Sequence, residues 1–275
     1  GGSARIPAAF CGTWGLKPTQ GRLSPEGMMS LAPEMDCPGL LAGSFDDLRL
    51  GWEVLAGRPN DRTAPTVVGL LRGGRWERCA LEIKAAVGQA AERFRDTGVE
   101  VQDVDGSALD DVHRVWNRLA WPPFAERYEG LTGNPSLGAG AASLIGWGSA
   151  HRDELPDARA QAERIRGWFA GAFNKVDLFL AATTPYVAPR IDAGDVDLGD
   201  GSTMDVHRGG PSWLTTAASV AGLPALNVPF SVSGAGLPIG VQLIAPPDGE
   251  GGLLAAAEIL GTSDDEPRRP AVPRR

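Results

Sequence analysis

From Ser44 the chain reads SFDDLRLGWEVLAG, a capping serine and two acidic residues followed by Phe45, Leu48, Trp52 and Leu55 at helical spacing, with Gly57 as a stop. This pattern predicts a helix that turns those four side chains inward. Thr66 to Leu71 is a short β-branched run, Cys79 to Thr97 has helical spacing and ends before Gly98, and Val99 to Val104 alternates apolar and polar residues. Strand, helix and strand in that order predict a crossover unit within a sheet. Ser107 to Trp121 predicts a further helix with Val112, Val115, Trp116 and Leu119 on its apolar face. Between Pro122 and Leu155 the periodicity dissolves into Gly, Ala and Ser around Trp147, so this stretch is read as a surface or pocket segment without an assigned element.

Helical spacing returns from Asp157 to Asn174, with Ile165, Trp168, Phe169 and Phe173 facing inward, and Val176 to Ala182 then reads as a strand buried on both faces. A polar loop with His207 follows. Ser212 to Ala221 predicts a helix stopped by Gly222; Ala225 to Phe230 and Ile239 to Ile244 predict a hairpin; Gly252 to Leu260 predicts a last helix. The opening stretch from Gly1 to Pro33, rich in Gly and Pro and without helical periodicity, reads as turns and short extended pieces laid over a core. The alternation points to an α/β fold, one layered unit over 1–262, with a Pro/Arg/Asp tail from 263 to 275 whose composition predicts disorder.

With 275 residues, 43% hydrophobic and 22% charged, the chain can bury a substantial core, and its net charge of −8 leaves no positive excess for phosphate. Direct nucleic-acid binding is therefore not expected. A membrane-spanning helix needs about 20 apolar residues in a row, and the longest candidates, such as Val176 to Ala182, are far shorter. Cys11, Cys37 and Cys79 are odd in number and far apart, which predicts buried free thiols in a reducing compartment, without a disulfide framework or zinc site. The chain opens on Gly-Gly-Ser with neither an initiator Met nor an apolar signal segment, as if in the middle of a motif. Polypeptide upstream is expected on that account.

The segment GGSARIPAAFCGTWGLKPT surrounds one hydroxyl, that of Ser3, with small residues that let backbone amides approach a bound carbonyl closely. Attack on an amide puts negative charge on the carbonyl oxygen, and N–H groups of Gly1 and Gly2 beside the hydroxyl suit that oxyanion. Taken alone, Gly-Gly-Ser is also a common linker or turn. The whole segment closely resembles the signature of the amidase-signature family, G-G-S-[IVA]-R-x-P-A followed by C-G-x-x-G-x-K-P-T. The resemblance continues through GRLSPEG, LAPEMDCPGLLAGSFDDLRLGWEVLAG, VDLFLAATTPYVAP and TTAASVAGLPALNVPFSVSGAGLPIGVQLIAP, whereas 107–175 matches by position only. At 40–44, LLAGS departs from the commoner proline and arginine, which weakens a local turn.

The resemblance implies a mixed, twisted β-sheet flanked by helices on both sides, Ser3 as nucleophile, and Gly1 and Gly2 as oxyanion-hole backbone. It implies an amidase that forms an acyl-serine and releases ammonia or an amine from a small-molecule amide, with no metal or organic cofactor. In the family a cis serine and a lysine upstream of the nucleophile activate it, so this chain alone is expected to be an inactive or partner-dependent C-terminal part. Lys17 matches the K-P-T lysine and is read as structural. Arg5 supports the site; its family partner is an acid upstream, and without that partner it is expected to loosen the loop. A glutaminase-type subunit of a tRNA-dependent amidotransferase is the alternative carrying the same signature. Free thiols suited to a reducing compartment lead to the expectation of a cytoplasmic protein, and a homodimer stays open.

A Ser-His-Asp arrangement of Ser3 with His113, His151 or His207 is disfavoured, because no G-x-S-x-G elbow is present and His207 reads as a surface residue. Among Trp116, Trp121, Trp147, Trp168 and Trp213 a pocket role competes with core packing. Helical core spacing favours packing for Trp116 and Trp168.

Overall fold

Seven residues close behind the Gly-Gly-Ser opening, Arg5–Cys11, coil into a short helix, α1, where the sequence predicted only turns. The computed structural model of the chain describes residues 1–57, 62–207 and 210–261. What hides α1 from periodicity is the smallness of its buried face, Ala8 and Ala9. Those methyls lie on glycines of the sheet: a Cβ added to Gly15 would come within 2.6 Å of the Ala8 methyl, and one on Gly240 within 3.0 Å of the Ala9 methyl. Helix and sheet therefore approach more closely than larger side chains would allow. Gly12, in the left-handed region at φ 64°, ends the helix and returns its N–H to the Ala8 carbonyl.

Strand β1 (Trp14–Lys17) follows, paired antiparallel with the edge strand β2 (Leu40–Ala42), so the irregular 40–44 segment is sheet where it starts. Helix α2 (Phe45–Ala56) begins as predicted: the Ser44 hydroxyl accepts the Asp47 N–H at 3.1 Å. Its buried face holds Phe45, Leu48 and Trp52, but Leu55, predicted inward, is exposed near the helix end. Strands β3 (Val67–Arg72) and β4 (Glu100–Asp105) pair in parallel across helix α3 (Leu81–Asp96), which is the predicted crossover.

Helix α4 (Val112–Tyr128) runs through Pro122 and Pro123, and α5 (Ala139–Ala150) packs against it where no element was predicted. Two signals misled the sequence reading. Proline usually breaks a helix, and α5, made of Ala, Gly and Ser with few large apolar residues, has no polar face to set a period. Gly148 of α5 sits so near α4 that a Cβ there would lie 2.1 Å from the Trp121 carbonyl oxygen, at the proline step.

Helix α6 (Leu155–Ala172) leads into β5 (Leu178–Ala182), every residue of which is buried. The small hairpin of β6 (Asp195–Asp197) and β7 (Thr203–Asp205) stands apart from the main sheet. Helix α7 (Thr216–Val220) is shorter than predicted; β8 (Ala225–Val232) and β9 (Pro238–Ile244) form the predicted hairpin, and α8 (Glu250–Leu260) packs on them. The seven-stranded mixed sheet has the order β2-β1-β8-β9-β5-β3-β4. Helices flank it, as expected of the fold class. The predicted disordered tail from 263 lies outside the described residues. Among the described residues no helix is long and apolar enough to cross a membrane.

Candidate active site

Ser3 stands on the turn that enters α1, with its side chain exposed. Two contacts fix this turn. The Thr215 hydroxyl donates to the Gly1 carbonyl at 2.6 Å, and the Ile6 N–H donates to the Gly2 carbonyl at 2.8 Å. Gly2 adopts φ 139°, where an L side chain is strained, and a Cβ there would fall 2.3 Å from the Thr215 hydroxyl oxygen. Gly1, Gly2 and Ser3 open onto a cavity of about 110 Å³ whose other walls come from Arg5, Lys17, the 28–37 loop and Ser219. Among the described residues no side chain hydrogen-bonds to the Ser3 hydroxyl.

Arg5 is not loose. It is fully buried, and its guanidinium donates to the Gln242 side-chain carbonyl, to the Thr215 backbone carbonyl at 3.0 Å and to the Ser219 hydroxyl at 2.9 Å. Neutral acceptors from β9 and α7 thus hold it where an acidic partner was expected, and they correct the expectation of a loosened loop. Burial without a carboxylate disfavours the cation and pulls its pKa down to about 9. The sequence could not show these partners, since Gln242 lies 237 positions away.

Lys17, at the end of β1, is buried and lines the same cavity as Ser3, with its ammonium donating to the Pro18 carbonyl at 2.8 Å. Burial depresses its pKa from 10.5 to about 8, opposed by the nearby Cys37. Between those two values the unfolded chain binds more protons than the folded one, so this group's contribution to stability rises with pH through that window. Wild type is expected to gain stability relative to Lys17→Met, by up to about 3 kcal/mol, as pH rises from about 8 to about 10.5. Paired thermal unfolding curves at several pH values measure this. A constant gap would place the folded-state titration elsewhere.

The histidines do not meet Ser3's cavity. His113 stacks against Trp116 and Trp213, with ring centroids 6.2 and 6.1 Å away, and burial beside Arg75 lowers its pKa to about 4. His151 stacks on Trp147, and His207 is exposed as predicted. Trp116 and Trp168 are half-buried on the flank of the core, less enclosed than their spacing implied, and of the three free thiols only Cys79 is buried.

The family profile described as amidase matches residues 1–254. A glutamyl-tRNA(Gln) amidotransferase subunit of Prochlorococcus marinus (strain MIT 9211) is 32% identical over 94% of this chain and 61% of its own length. The same subunit of Deinococcus radiodurans is 30% identical, over 94% and 62%. A crystal structure of an amidase superimposes with TM-score 0.85 at 29% identity, covering 94% of this chain and 60% of that one. The 6-aminohexanoate cyclic dimer hydrolase in complex with substrate superimposes with TM-score 0.73 at 25% identity, over 94% and 62%. The chain spans about three-fifths of the length of the curated relatives it matches.

Proposed function

This chain belongs to the amidase (amidase-signature) family, and from that premise we propose that Ser3 is the nucleophile of an amide hydrolase. The Ser3 oxygen attacks the carbonyl carbon of a carboxylic acid amide, the C–N bond breaks with a proton delivered to the departing ammonia or amine, and water then cleaves the acyl-serine to the acid. The observation that carries this reading is the placement of Ser3: an exposed hydroxyl at a small cavity, on a turn held by Thr215 and by the backbone of Gly2. The backbone N–H groups around Gly1 and Gly2 serve the developing oxyanion. Arg5 supports the turn from beneath. No metal or organic cofactor enters the reaction. Three unpaired thiols fit a reducing, cytoplasmic setting.

The attack needs a base to take the serine proton, and no described side chain is bonded to Ser3. We therefore assign the base to polypeptide equivalent to the part of the relatives that this chain does not match, which makes hydrolysis dependent on that part. A panel of aliphatic and aromatic amides, with intact-mass detection of an acyl adduct on Ser3, tests this with the 275-residue chain alone and combined with such a polypeptide. Turnover only in the combination is expected. Ser3-dependent turnover by the chain alone, rising with pH through about 8, would overturn the assignment and give the base's role to Lys17.

A second reading is favoured by the curated relatives, which are named as amidotransferase subunits. There the same chemistry would release ammonia from glutamine for a partner subunit. Strong preference for glutamine over all other amides in the panel distinguishes it.

A further inference from the structure

One face of α4 carries a continuous line of rings. His113 stacks on Trp116; Trp116 meets Trp121 edge-on with centroids 5.5 Å apart; Trp121 meets Phe124 at 5.8 Å; and Phe124 meets Tyr128 at 4.9 Å. All five residues are half-buried. A surface stripe of this kind is a ready contact area for a flat apolar group, since aromatic rings bury much area with few rotamers to freeze.

Near both ends the stripe is tied to the surroundings of the Ser3 cavity. Trp116, the second ring, lies against Gly1, so near that a Cβ on Gly1 would come within 2.7 Å of its indole. At the other end the Tyr128 hydroxyl donates to the Ser30 carbonyl at 2.9 Å, fixing α4 to the loop from which Met28 and Met35 line the cavity. Met28 and its neighbour Met29 are 44% and 77% exposed, which extends the apolar surface on the cavity's rim. The Trp116 indole nitrogen is shut off from solvent and has no hydrogen-bond partner. Close to Gly1 the flank is therefore aromatic and half-buried, beside a cavity whose own lining includes Arg5, Lys17 and Asp36.

We infer that Trp116 is the specificity-determining contact of this site, and that the amide taken by Ser3 carries an aromatic ring that lies on the Trp116–Trp121 wall. The inference rests on the nucleophile reading of Ser3 and names its substrate class. Ring-on-ring contact is worth about a factor of ten beyond what an aliphatic group of similar size obtains.

Binding of benzamide and of isobutyramide to the full chain, followed by titration in the NMR spectrometer, tests it without requiring turnover. Benzamide is expected to bind about tenfold more tightly and to shift the Trp116 indole N–H resonance, whereas isobutyramide does not. Trp116→Leu should lose the preference and Trp116→Phe should keep it, and the resonance shift in the unaltered chain stands even if a variant misfolds. Equal binding of the two amides, no binding of either, or a preference that survives Trp116→Leu would overturn the inference. A Trp116-dependent preference alongside hydrolysis that ignores Ser3→Ala would overturn the nucleophile reading and leave the aromatic wall standing.

Discussion

Replacing Ser3 by alanine is expected to lower amide hydrolysis by roughly a thousandfold or more, because loss of the nucleophile leaves only transition-state binding and the oxyanion donors to act on water. The same change should alter stability by less than about 0.5 kcal/mol. Ser3 is exposed and its hydroxyl bonds to no described side chain, so folding loses nothing with it. Rates measured on the active combination, beside thermal melts of the chain, separate the two effects. A residual rate within tenfold of wild type would mean that another group attacks the amide.

Gly2→Ala should do the opposite and damage fold and chemistry together. At φ 139° an alanine is strained, and its methyl would press on the Thr215 hydroxyl and on the Ile6 side chain, 2.3 and 2.5 Å from the new carbon. Ile6 can rotate aside, but the Thr215 hydroxyl cannot move without giving up its bond to the Gly1 carbonyl. Strain and clash together are expected to cost roughly 2–4 kcal/mol of stability. Moving the turn by even ~1 Å misplaces the Ser3 oxygen and can cost about a hundredfold in rate. Chemical denaturation and kcat of Gly2→Ala check both. A variant as stable and active as wild type would show that the turn accepts a side chain.

Much of this architecture was legible where buried side chains are large and evenly spaced. Leu48 and Trp52 made α2 visible, and the run from Ile83 to Phe94 made α3 visible between two β-branched strands. Elements whose packing uses small residues were not legible. Helix α1 buries alanines against glycines and α5 presents Gly148 to a carbonyl, so neither carries a hydrophobic period. In α4, tertiary contact with α5 outweighed the breaking tendency of Pro122 and Pro123. At the site, Ser3 and its glycines were found through a contiguous motif. The neutral acceptors around Arg5, the entry of Lys17 into the cavity and the aromatic line beside Gly1 come from segments distant in the chain, which no local pattern records.

The bond between Arg5 and Gln242 closes a loop over nearly the whole described chain, and the pairing of β1 with β8 closes another. Neither contact can form until the final hairpin exists. On a ribosome adding about 5–20 residues per second, the Ser3 turn therefore emerges among the first residues of this stretch and waits on the order of ten seconds or more for its anchors. Its order is inherited from the end of the chain, which makes the turn one of the last parts of the molecule to mature.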